Sequence, residues 1–390
     1  HSSIPSPDPE MLFFLLLLLH LSSSLLATDQ IIFVQTLFRH GDRTPTETYP
    51  NDVYQEDFWG VPWGELTTRG MQQQFEQGQR LRKLYVEGYG LVNATYNRDN
   101  VYIRSADTPR CIQSGIANTA GFFKGSATYP TGVDGWPSDW TPIPVHSVPY
   151  DQDRQLEAGV SCPKAKDLKA KRALEPNFLD FLASNWRIIA DILYNAGGTY
   201  ETDFDTLDHI YGTLYVEIEC YNLTQPAWVT PEFYSALKAA VEQGNDYIDG
   251  AAGFGYPEDT ELLKLNAGFL LKEWIANLDD AVNGVGPKYH PYSAHDTIVA
   301  DVLNALNAKM SVIGLQNPDY ASTIVCELWK RGDGQLYVKF LYSINSSSDF
   351  QPITRYISGC PTDNDFCPLS TFKDRCQKYI PDSEADCDLQ

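Results

Sequence analysis

Ile31-Ile32-Phe33-Val34-Gln35-Thr36-Leu37-Phe38 runs without a break into Arg39-His40-Gly41-Asp42-Arg43-Thr44-Pro45. The first run is apolar and partly β-branched, and it has the length of a strand. The second closes that strand with two arginines around a histidine, then supplies glycine and proline for a turn. Charge is thereby gathered at the strand's mouth. Guanidinium groups are planar forks of donors that match phosphate or carboxylate oxygens. An imidazole held between two of them is driven towards its neutral form, because neighbouring positive charge disfavours imidazolium. Neutral imidazole is a nucleophile, and here it faces a place built for an anion. The chemistry these residues suit is transfer of a phosphoryl group onto His40.

Outward from this stretch the pattern repeats. Leu66-Thr67-Thr68 opens a helix with a threonine cap, and Met71, Phe75, Gly78, Leu81 and Tyr85 mark its buried face. Asn100-Val101-Tyr102-Ile103-Arg104-Ser105 reads as the next strand, and Asp107 and Pro109 start another helix with a stripe of Ile112, Ile116, Ala120 and Phe123. Two strand–turn–helix units in succession predict parallel strands with right-handed crossovers, and ligands in such sheets sit beyond the carboxyl ends of strands. Arg39, His40 and Arg104 all fall at that edge. Helical periodicity then dominates: 178–194, 205–221, 231–247 and 260–278 are expected helices, with His209 a structural histidine among them. The sheet resumes at Lys288-Tyr289-His290-Pro291-Tyr292-Ser293-Ala294, followed by His295-Asp296 and a helix over 297–307. His290 is expected at the surface. A hairpin over 322–330 and 335–344, turning at Gly332-Asp333-Gly334, is expected at a sheet edge.

At 390 residues the chain exceeds the usual size of a single core. The expected fold is α/β: a three-layer domain with a mixed, mostly parallel sheet flanked by helices, plus a smaller inserted α-helical subdomain. Residues 28–150 and 283–358 are assigned to the α/β domain, 151–282 to the insert and 359–390 to a disulfide-rich tail. Residues 1–27 are read as upstream residues followed from Met11 by a signal peptide, its core Leu12-Phe13-Phe14-Leu15-Leu16-Leu17-Leu18-Leu19, with cleavage after Ala27. No later stretch reaches spanning length, so no stable membrane insertion of the mature chain is expected. A net charge of −22 argues against nucleic-acid binding and makes the anion site a local exception to the global field. Eight cysteines in an exported chain read as disulfides, and no Cys/His cluster suggests a metal site. Cys111 is expected to be a buried free thiol. Asn93, Asn222 and Asn345 open N-glycosylation sequons.

Arg-His-Gly-x-Arg-x-Pro after an N-terminal strand resembles the signature of the histidine acid phosphatases, in their prostatic, lysosomal and phytase-like branches. The Val101-Tyr102-Ile103-Arg104-Ser105 strand and the late Ser293-Ala294-His295-Asp296 are similar to that family's further motifs. The resemblance implies a phosphoglycerate-mutase-like fold and hydrolysis of small phosphomonoesters at acid pH without a cofactor. It makes His40 the nucleophile and Asp296 the proton donor, with Arg39, Arg43, Arg104 and His295 on the phosphate. It also implies disulfides Cys220–Cys326, Cys360–Cys367 and Cys162–Cys376, a homodimer, and an extracellular or lysosomal destination. The mutase branch shares the Arg-His-Gly core but takes its acid from a glutamate elsewhere; Arg43-x-Pro45 and His295-Asp296 favour the phosphatases.

Overall fold

The computed structural model describes residues 28–126, 130–137 and 140–389. The leader peptide expected at 1–27 lies outside the described residues. Strand β1 (Gln30–Arg39) leads to α1 (Thr68–Arg82), β2 (Ile103–Ser105), α2 (Pro109–Phe122) and β3 (Val145–His146). Helices then run from α3 (Pro163–Ala173) through α4 (Pro176–Ser184), α5 (Trp186–Asn195), α6 (Phe204–Leu214) and α7 (Pro231–Ile248) to α8 (Thr260–Val282). Next come β4 (Tyr289–Ala294), α9 (Asp296–Ala305) and the hairpin of β5 (Thr323–Lys330) and β6 (Leu336–Ser343). Two short strands, β7 (Gln351–Pro352) and β8 (Cys367–Pro368), and helix α10 (Leu369–Cys376) follow.

The sheet is mixed, in the order β3-β2-β4-β1-β5-β6-β7, with β8 paired to β6. Strands β3, β2, β4 and β1 are parallel and carry the site at their carboxyl ends. The remaining strands are antiparallel. The hairpin is thus not at an edge: β5 lies directly against β1, with Leu37 opposite Ile324. Its sequence explains why. Every residue of β5 but Lys330 is buried, and such a strand must be covered on both faces and paired on both sides.

Alternation along β1 distributes the layers. Phe33 and Leu37 enter a core shared with Leu270 and Trp274 of α8, Val299 and Leu303 of α9 and Phe372 of α10. Val34 enters the opposite core, with Leu81 and Tyr85 from α1 and its extension and Phe122 of α2. Helices α4 to α7 enclose a further core built on Phe178, Ile192, Leu207, Ile210 and Tyr247, which Tyr49 from the loop after β1 also enters. Two expected helices are interrupted. Asn185 leaves helical geometry between α4 and α5 and its amide donates to the Phe181 carbonyl at 2.9 Å. Helix α6 runs on through a π-helical stretch, Tyr215–Cys220. His290 is buried rather than at the surface, because β4 is central and covered throughout. Burial pulls its pKa down to about 3, so it is neutral. No helix among the described residues is long and apolar enough to cross a membrane.

The cysteines correct part of the expected pairing. Cys360–Cys367 forms as expected, but Cys162 joins Cys387 instead of Cys376. Cys376, on the inner face of α10, is committed to the sheet's core with Phe372 and Tyr379. Cys387 comes later and is carried to the outer side of α8, where Cys162 packs with Leu262, Leu265 and Phe269. Cys220 and Cys326 are both free, as is buried Cys111. Cys326 sits in mid-sheet opposite Gln35, whereas Cys220 ends the π-helical stretch, where its carbonyl accepts from Arg69. Asn93 and Asn222 are exposed; the side-chain oxygen of half-buried Asn345 accepts from the Ser347 and Ser348 backbone N–H groups.

Candidate active site

The parallel register sets Arg39 opposite Ala294, so the residues after β1 and β4 emerge side by side. The His40 N–H donates to the Ala294 carbonyl at 2.9 Å, and the His40 and His295 ring centroids are 5.6 Å apart. His40 is only 2 % exposed. Its Nδ1 lies 2.8 Å from the Gly41 carbonyl oxygen, which can only accept. Nδ1 therefore carries the proton, and the lone pair of Nε2 is left for chemistry.

The loop is held by close approach. A Cβ on Gly41 would lie 2.2 Å from the Gly70 carbonyl oxygen, and one on Gly70 would lie 2.1 Å from the Asp42 carbonyl oxygen. Only glycine at both places lets the loop rest on the first turn of α1. Asp42 then fastens it. Its carboxylate accepts from Thr67 Oγ1 at 2.6 Å and from the Tyr221 hydroxyl at 2.5 Å, while its N–H donates to Gln73 at 2.8 Å. The hydroxyl of Thr67 also caps α1.

Three guanidinium groups surround the imidazole. Arg39 donates to the Pro318 carbonyl at 2.7 Å, pairs with Asp296 at 2.9 Å and lies 4.0 Å from the ring centre of Tyr320. Arg43 donates to the Thr44 carbonyl. The third is Arg110, in the first turn of α2, with Nη2 3.5 Å from His295 Nδ1. The buried Nε of each of these arginines has no hydrogen-bond partner among the described residues. Such unused donors suit an incoming anion. Burial pushes the His40 pKa well below its ordinary value, and the charges of Arg110, Arg39, His295 and Arg43 add to that. The imidazole is held neutral.

Of the expected phosphate ligands, Arg39, Arg43 and His295 converge on His40, and Arg104 does not. Arg104 pairs in register with Tyr292, which stands opposite Leu37, so it sits two residues short of Arg39 along the sheet. Its guanidinium is spent on Asp153 at 2.6 Å and on the Ser105 carbonyl. Arg110 takes the place expected of it. The sequence signal for it is Pro109, which marks the helix start and so puts the first-turn Arg110 at the strand ends.

Glu157, also missed, receives the other end of His295, with Oε1 2.9 Å from Nε2. The turn that carries Glu157 is anchored by Asp153, whose carboxylate accepts from the Gln155 and Leu156 N–H groups and binds Arg104. Arg104 thus bears on the site through the turn that carries Glu157. Burial alone would lower the His295 pKa, but the Cys111 sulfur and the Glu157 carboxylate more than offset it and raise it to about 9. His295 is a cation throughout the acid range. Asp296, half-buried, would be raised by burial, yet Arg39, Arg43 and His295 bring its carboxyl below the ordinary value in the free site. A bound phosphate anion would cancel those charges and let the carboxyl rise. No group of three metal-ligating side chains occurs among the described residues.

A strand-end histidine ringed by arginines, on a mixed three-layer sheet, defines a histidine phosphatase. The chain belongs to the histidine phosphatase superfamily, branch 2, whose family model matches residues 30–343. It is similar to the lysosomal acid phosphatase of Rattus norvegicus, 34 % identical over 362 residues, covering 92 % of this chain and 80 % of that one. It is also similar to the prostatic acid phosphatase of the same organism, at 32 % over 374 residues, 95 % of this chain and 91 % of the relative. Among solved structures, Hafnia alvei phytase in complex with myo-inositol hexakis sulphate shares the fold, with a TM-score of 0.65 at 17 % identity over 93 % of this chain and all of that one (100 %).

Proposed function

We propose that this chain is an acid phosphatase that hydrolyses phosphate monoesters through a phosphohistidine. The observation that carries the reading is the neutral His40, its Nε2 without a hydrogen-bond partner among the described residues, inside a ring of Arg39, Arg43, Arg110 and His295. Nε2 attacks phosphorus in line as the bond to the ester oxygen breaks. The cations hold the three non-bridging oxygens, where charge accumulates. Protonated Asp296 gives its proton to the departing oxygen, and the alcohol leaves. Water then attacks the phosphorus, its proton passes to the Asp296 carboxylate, and the nitrogen–phosphorus bond breaks to release phosphate.

An acid optimum follows from the proton donor. Asp296 must be protonated, and the dianionic substrate raises its pKa by neutralising the arginines beside it. The relatives' names, the expected leader and the sequons support a secretory-pathway destination, lysosomal or extracellular. A homodimer follows from the family resemblance, and light scattering of the purified protein tests it.

Acid-quenched enzyme incubated with a labelled phosphomonoester should carry label on His40. His40→Ala should carry none and release no phosphate. Label recovered on another residue would overturn the assignment.

A further inference from the structure

Helix α9 begins with Asp296, and further along it Asp301 is buried, 3 % exposed, among charges that come from other segments. Lys169 of α3 binds the carboxylate of Asp249, just past the end of α7, at 2.5 Å. Lys309, shortly past α9 and 1 % exposed, binds the two oxygens of Asp246 of α7 at 2.8 and 2.9 Å. Each ammonium group thus has a carboxylate of its own. Asp301 is left over. It forms no ion pair among the described residues, and its Oδ1 is buried without a hydrogen-bond partner. The groups around the cluster do not answer that deficit. Glu242 of α7, near Lys309, and Asp208 of α6, near Asp249, are carboxyls themselves. Asn266 of α8 is a neutral amide that donates to the Asp249 carbonyl at 3.1 Å.

Three carboxyl groups beside two ammonium groups balance when one carboxyl holds a proton. A carboxylate buried without a counter-charge is costly, and protonation relieves the cost. Burial, with the negative charges of Asp249 and Asp246, raises the Asp301 pKa well above its ordinary value despite both lysines. We propose that Asp301 holds this proton in the folded protein and so latches α9 to α3 and α7, in a seam that is closed in acid and loosens as the pH rises. The seam bears on the site. Asp246 and Asp249 line the same cleft of about 890 Å³ as Asp296, at the start of the helix that Asp301 secures.

The sign follows from where the proton is held. An acid whose pKa is raised by folding contributes its full stability below the ordinary value of about 3.9. That contribution is lost as pH climbs towards the raised value. The test is urea unfolding of the full chain and of Asp301→Asn from about pH 4 to about pH 8. The amide copies a protonated carboxyl and does not titrate. The variant's folding constant, divided by the parent's, should therefore rise by about tenfold per pH unit over the range in which Asp301 keeps its proton. A ratio that falls with rising pH would reveal an anion held by the two lysines, and a level ratio would reveal a group with its ordinary value; either overturns the proposal. Should Asp301→Asn not fold, Asp301→Ala takes its place: its ratio starts lower because of the cavity, yet must climb with pH in the same way. Hydrogen exchange, corrected for the intrinsic effect of pH, reads the seam directly. Amides of α7 and α9 should open more readily at the upper pH in the parent and not in the variant, and opening spread evenly over the chain would overturn the latch. Neither readout uses phosphate hydrolysis, so the outcome is independent of the function proposed above.

Discussion

His40 shows how few atoms decide the chemistry of a residue. One backbone carbonyl fixes its tautomer, and burial, with four neighbouring cations adding to it, removes its tendency to protonate. This part was legible in the sequence because Arg39, His40 and Arg43 fall within one five-residue stretch. Arg110 and Glu157 were not, since each reaches the site from a different turn. Arg104 and Arg110 provide the sharpest residue-scale contrast. Arg110→Ala should lower kcat/KM by about 10²–10³-fold, as for other donors aimed at developing charge. Arg104→Ala should instead leave the Asp153 carboxylate buried without its partner, costing about 3–5 kcal/mol in denaturant unfolding. Steady-state kinetics beside urea melts of the two variants separate these roles. Glu157 makes a second case. The His295 pKa is raised in the folded chain to about 9, so the pairing stabilises fully below the unfolded value and is lost as pH climbs through 9. Glu157→Gln should bring the His295 titration down by about one unit or more. Nitrogen NMR of labelled histidine measures it, and an unshifted His295 would show that the carboxylate is not the partner that matters.

At the scale of elements, the loop after β1 works because α1 comes close enough to support it. The sequence announced the strand, the Thr67 cap and the helix, since those depend on local composition. It did not announce that Gly41 and Gly70 touch, because that contact needs the crossover to be built first. The same holds for the hairpin: its turn was plain from Gly332-Asp333-Gly334, while its place against β1 depended on which edge was left unpaired. Gly70→Ala should therefore disturb catalysis and not merely helix propensity. Alanine ordinarily favours a helix over glycine, yet here its Cβ would fall 2.1 Å from the Asp42 carbonyl oxygen. We expect a loss of about 1–3 kcal/mol of stability, typical of overpacking, with a fall in kcat as Asp42 and His40 shift together. A stabilised, fully active Gly70→Ala enzyme would show that α1 does not clamp the loop.

Across the whole molecule, a strongly acidic chain gathers three arginines and a histidine around one imidazole, and the cores around that pocket are tied by the tail. Sequence patterns sorted the sheet from the helices well, because periodicity is a local property. Disulfide partners are a global property, and the tail offered several cysteines within reach of Cys162. The structure resolves the choice by burial: Cys376 packs inward on α10, and Cys387 is delivered to Cys162 across α8. The Cys162–Cys387 bond spans a sequence separation of 225. A link across so long a loop restricts the unfolded chain strongly, and removing a native disulfide of this kind costs about 2–5 kcal/mol. Cys162→Ser with Cys387→Ser should therefore unfold at markedly lower denaturant, with kcat little changed while folded, because both sulfurs lie in the separate core formed with Leu262, Leu265 and Phe269. Cys376→Ser should leave both disulfides intact in a non-reducing peptide map and cost only the burial of a hydroxyl in an apolar core. The reverse result, a lost disulfide in Cys376→Ser and an undisturbed one in Cys387→Ser, would return the bond to the partner first expected and place the end of the chain elsewhere.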